Sequence, residues 1–102
     1  MRFVGGTLAN ITAGTEVALS SHAKIEAADK VLSVEFRARV GNTGNAYVGI
    51  NGMTSTDGFE MQPGESVSIS PKDFGGSIRA DGIFVDVATG STDDVDFLSL
   101  LE

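Results

Sequence analysis

The sequence predicts an all-β domain: a small antiparallel β-sandwich of jelly-roll-like form, or a barrel, with about six to eight strands and at most one short helical turn. Three observations carry that expectation. Short runs of alternating apolar and polar residues recur at intervals of roughly ten residues. Glycine occupies 13 of the 102 positions, and turn dipeptides such as Asp57-Gly58 and Pro63-Gly64 separate the runs. The only helical candidate of any length, Ser21 to Lys30, has Ile25 as its single large apolar residue, so it reads as a loop or one turn.

Taken in chain order, the segment FVGGTLANITAG has the composition of a flexible arm. Residues 1–14 are therefore expected to be an arm that orders on contact with a partner, and residues 15–102 a single β domain. Glu16 to Ser20 reads as a weak strand. The clearest signal is KVLSVEFRARV, where Leu32, Val34, Phe36, Ala38 and Val40 alternate with Ser33, Glu35, Arg37 and Arg39. Gly41 to Asn45 turns the chain out of that strand, and Ala46 to Asn51 resumes extension with Val48 and Ile50 in phase.

Phe59 to Met61 follows the Asp57-Gly58 turn. Pro63 then presets φ and Gly64 accepts the positive φ of a type II turn, leading into Ser66 to Ser70 with Val67 and Ile69 inward. Ser70 to Gly76 reads as a single helical turn, with Ser70 as N-cap and Pro71 at the first position. Gly82 to Ala88 places Ile83, Val85 and Val87 in phase. Val95 to Leu101 alternates less cleanly, after a loop from Thr89 to Asp94.

Charge and composition exclude several classes. Fourteen acids stand against seven bases, a net charge of −7, and every base lies at or before Arg79. The acidic field repels phosphate backbones, so no nucleic-acid partner is expected. The chain has no Cys, which removes disulfides and zinc–thiolate sites. No run approaches the ~20 apolar residues of a membrane span, and the start MRFVGGTLANIT lacks the apolar region of an export signal. The expectation is a soluble protein made in the cytosol, with no membrane contact.

Chemistry-bearing residues are few. His22 is the only histidine and has no partner identifiable from sequence, so it reads as an exposed loop residue. Asp93, Asp94 and Asp96 could offer oxygen ligands to Ca²⁺, but they do not match the twelve-residue loop pattern and read as a solvated loop. The glycine-rich stretches lack the GK[ST] ending of a phosphate loop. Asn10-Ile11-Thr12 fits the glycosylation pattern by coincidence. Tyr47, Phe59 and Phe74 suit either a sugar-binding platform or the core, and the core is favoured. No cofactor and no metal are expected.

One constellation is more specific. Phe36-Arg37-Ala38-Arg39 leads into Asn42-Thr43-Gly44-Asn45, then Tyr47-Val48-Gly49, a Ser/Thr loop with Gly58, and Pro63-Gly64-Glu65-Ser66-Val67. This order resembles a recurrent pattern in small structural proteins of tailed bacteriophages, and it covers roughly the middle half of the chain. The resemblance implies a β-rich virion component without enzymatic activity, assembled in the host cytoplasm. It implies either a capsid decoration (cement) protein on the head surface, bound to the major capsid protein, or a head-fibre or tail accessory protein binding a host-surface carbohydrate or receptor.

For the partner surface, the expected contacts are Arg2, Phe3, Val4, Leu8 and Ile11 in the arm and Glu35, Arg37 and Arg39 on the polar side of the long strand. A thin core without staples favours a homo-oligomer, and analogy with three-fold capsid sites favours a trimer.

Overall fold

Alternation gives each strand one apolar face, and two sheets bury those faces against each other. The computed structural model describes residues 1–50, 58–71 and 78–102, and among them nine strands form two antiparallel sheets. The first sheet runs β1 (Arg2–Ile11), β9 (Asp93–Leu101), β3 (Lys30–Ala38), β6 (Ser66–Ile69), and β7 (Ile78–Arg79) also pairs with β3. The second runs β2 (Val17–Ala18), β8 (Ile83–Val87), β4 (Ala46–Ile50), β5 (Phe59–Met61). The chain changes sheet at every step except β4 to β5 and β6 to β7, so its first and last strands finish side by side. This is the winding of a jelly-roll sandwich.

The core forms where the sheets face each other. Leu8, Val34, Phe36, Ala38, Val95, Phe97 and Leu101 from the first sheet meet Ala46, Val48, Met61, Ile83, Val85 and Val87 from the second. The expected inward phase of β8 and β4 is what the register produces: Ala46 pairs with Val87, Val48 with Val85 and Ile50 with Ile83. The Pro63-Gly64 turn also forms as expected. Gly64 has φ +92°, and the Glu65 N–H donates to the Gln62 carbonyl at 2.9 Å.

Several expectations need correction. Residues 2–11 are not an arm: from Arg2 to Leu8 they pair residue by residue with Leu101 to Val95. The composition suggested disorder because Gly5 and Gly6 carry no side chain, yet the ladder supplies the hydrogen bonds that the isolated segment lacks. In β3 the phase slips at a bulge, since Val31 faces Leu101 while Ser33 faces Leu100. Val31 is consequently buried beside Val34, Leu32 is only half-buried, and Val40 lies past the strand end, 72% exposed. β9 starts at Asp93, so Asp93 and Asp94 belong to a strand rather than a loop. The weak strand at Glu16 shrinks to Val17–Ala18, followed by a 3-10 turn at Leu19–Ser21. The helical turn expected over Ser70 to Gly76 lies mostly outside the described residues, as do Asp57 of the Asp57-Gly58 turn and Phe74.

Candidate functional site

Strands β1, β9, β3 and β6 present an outer face whose composition follows from register. Three cross-strand rows run over it: Phe3, Leu100 and Ser33; Gly5, Leu98, Glu35 and Ser68; Thr7, Asp96, Arg37 and Ser66. Inward neighbours Phe97, Ser99 and Leu101 turn Leu98 and Leu100 outward by the two-residue period. Phe3 is 71% exposed and Leu98 53%, although both are large and apolar. A shallow groove of about 290 Å³ runs between Phe3 and Leu98 on one side and Glu35 and Ser68 on the other.

The face divides into an apolar end and a charged end. At the charged end the Thr7 hydroxyl donates to Asp96 at 2.6 Å, and Arg39 Nε reaches both Asp96 oxygens at 3.1 and 3.2 Å. The same guanidinium donates to Thr7 Oγ1 and lies 3.6 Å from Asp94. Glu35 accepts a 3.4 Å bond from the Ser68 hydroxyl. Arg37, exposed beside them, makes no ion pair among the described residues. It is the charge on this face best placed to engage another molecule.

The structure sorts the expected contact residues. Arg2, Phe3, Glu35, Arg37 and Arg39 are exposed, and the last three share the outer face with Phe3. Leu8 and Ile11 are buried in the core, 4% and 1% exposed, and Val4 packs against it, so these three do not offer a contact surface. Alternation along β1 explains this, because the residues that pair opposite inward-facing positions of β9 must themselves face in. Leu98 and Leu100 were missed. The alternation of VDFLSLL about Phe97 would have marked them as outward leucines.

The three aspartates do not lie in a solvated loop. Asp93 is buried and accepts the N–H groups of Thr43 and Gly44 at 2.9 and 3.1 Å and the Thr43 hydroxyl at 3.1 Å. Asp94 accepts the Asn10 N–H at 2.8 Å, and its backbone exchanges two bonds with the Asn42 amide. Among the described residues no group of three or more His, Asp or Glu side chains is arranged to hold a metal. The Asn42-Thr43-Gly44 motif therefore fastens the β3–β4 corner onto β9. The Pro63-Gly64 turn clasps the same strand end, with the Gly64 N–H donating to Ala38 O and the Ala38 N–H to Glu65 O.

The remaining candidates also resolve. Tyr47 pairs with Glu60 and Asp86, whereas Val48 pairs with Phe59, so Tyr47 and Phe59 occupy opposite faces of the second sheet and form no common platform. Neither fills the core: Tyr47 is half-buried and Phe59 57% exposed. Burial, and then the carboxylate of Glu60, push the Tyr47 phenol above its ordinary range. His22 is half-buried, with its ring against Phe97 and Gly6. The backbone N–H of Glu26, with Arg2 3.0 Å away, holds Asp29 below the usual carboxylate range despite some desolvation.

No family model matches the chain, and no curated protein matches it. Among solved structures it is similar to the solution NMR structure of a de novo designed double-stranded β-helix, with a TM-score of 0.44 and 18% identity over 100% of both chains.

Proposed function

We propose that this protein is a non-enzymatic virion component of a tailed bacteriophage, a decoration subunit that binds the major capsid protein and stiffens the head shell. The observation that carries this reading is the outer face of the first sheet, where exposed Phe3 and Leu98 adjoin the charged residues Glu35 and Arg37. An apolar patch rimmed by charge is the composition of a protein-binding surface, and a sheet backed by a packed core presents it with little loss of conformational freedom on docking. The Asn-Thr-Gly, Tyr-Val-Gly and Pro-Gly-Glu-Ser succession supports the phage assignment by resemblance. Binding would place Phe3 and Leu98 at the centre of the contact and Glu35 and Arg37 at its rim.

Cryo-EM of particles from the source tests the proposal directly. Density for this jelly roll at a copy number near that of the capsid protein, with the Phe3 and Leu98 face on the shell, is the expected result. A few copies at the tail tip or one vertex would overturn it and favour a receptor-binding accessory role. Leu98→Glu should abolish co-sedimentation with shells without lowering the melting temperature.

A further inference from the structure

Sheet edges expose unpaired N–H and C=O groups, and folded proteins usually shorten, charge or cover them. Three of the four edges here follow that rule among the described residues: β2 has 2 residues, β5 has 3, and β6 has 4 and follows the charged Glu65. The fourth, β1, is 10 residues long and among the described residues pairs on one side only, with β9. From Phe3 to Ala9 it contains neither a charge nor a proline. Its ladder with β9 is regular from Arg2 to Leu8, after which a bulge with Asn10 at φ +52° shifts the register before Ile11 pairs with Asp93.

We infer that β1 is a self-pairing edge: two copies of the chain join β1 to β1, antiparallel, about a two-fold axis at Gly5, merging their first sheets into one. Gly5 is the midpoint of the regular Arg2–Leu8 segment, and a two-fold normal to the sheet sets that residue opposite its own copy. Phe3 then lies across from Thr7 of the second copy on the outer face, and Val4 across from Gly6. The charges at both ends are already held within each copy, Arg2 by Asp29 and Asp94 and Asp96 by Arg39, so the uncharged Phe3–Ala9 backbone of one copy meets the same uncharged backbone of the other. The pairing satisfies backbone groups on both copies and leaves the Phe3 and Leu98 face open, so it does not depend on the capsid reading. It yields a dimer, in place of the trimer that analogy suggested.

Sedimentation velocity of the full chain up to ~200 µM provides the first test, because mass action reveals a weak dimer only at high concentration. A dimer is expected. Gly5→Lys sets two like charges at the axis and should weaken dimerisation by about tenfold or more. A Cβ at Gly5 meets only ordinary contacts, 3.4 Å from Phe97 O and 3.5 Å from Leu98 Cδ1, so the fold should tolerate it. Should that variant fail to fold, Gly5→Cys serves instead: the chain has no other thiol, and mild oxidation should link two copies at this position, while Ser91→Cys should not link. A monomer at the highest concentration, or a trimer, overturns the inference. So does a dimer that persists in Gly5→Lys and does not cross-link through Gly5→Cys. Hydrogen-exchange protection of the β1 edge that appears only with added capsid protein would likewise assign the edge to another partner.

Discussion

The imidazole of His22 stands edge-on to the ring of Phe97, with centroids 5.0 Å apart and planes at 81°, in a space that Gly6 leaves open by having no side chain. The Lys24 N–H donates to Nδ1 at 3.2 Å and holds the ring in place. A Cβ on Gly6 would fall 2.4 Å from His22 Nε2, so Gly6→Ala forces the ring out. The substitution should cost about 1–3 kcal/mol, as overpacking does. In a His22→Ala background most of that cost should disappear, and a double-mutant cycle in urea measures the coupling. Equal costs in both backgrounds would show that the ring does not occupy this space.

Asp93 is the pin of the β3–β4 corner. Asp93→Ala leaves the N–H groups of Thr43 and Gly44 without their acceptor and should cost about 3 kcal/mol; Asp93→Asn keeps one acceptor oxygen and should cost less. Because Asp93, Asp94 and Asp96 already accept bonds from Thr43, Gly44, Asn10, Thr7 and Arg39, neither Ca²⁺ nor a chelator should move the melting temperature.

Gly64 takes the left-handed conformation of the turn, with φ +92°. Gly64→Ala should destabilise by about 1–2 kcal/mol, the cost of that backbone region to an L side chain. The loss should appear in the denaturant midpoint with an unchanged slope.

Two groups set the pH limits. The Tyr47 phenol, raised above 10.0, keeps its proton in the folded chain where the unfolded chain would release it. Its contribution to stability is complete below pH 10 and is lost as pH rises through the folded value. Tyr47→Phe should flatten the alkaline limb of a melting-temperature profile. Asp29 has the opposite sign: lowered below 3.8, it stabilises above that pH, and the contribution is lost as pH falls through the folded value. Asp29→Asn should flatten the acid limb only.

The parts of this protein that were legible in sequence are those governed by local chemistry. Alternation in Gly82 to Ala88 identified the inward side of β8, and Pro63-Gly64 specified its turn, because side-chain direction and φ preference depend on neighbours within a few residues. Together they suffice for an all-β sandwich, and they place Glu35 and Arg37 on a polar side. Non-local partners settled the remainder. The Phe3 to Gly14 segment has the composition of an arm, and its residues up to Ile11 become a strand only because β9, some ninety residues away, supplies their ladder. The three aspartates look solvated until Thr43, Asn42 and Arg39 are brought to them. Ser99 obscures the alternation of β9 because its buried hydroxyl donates to Val4 O at 2.9 Å, a bond that exists only once the two ends of the chain lie together. The exposed apolar face of Phe3 and Leu98 has the same origin: each residue alternates in its own strand, but only the pairing of β1 with β9 brings them onto one face.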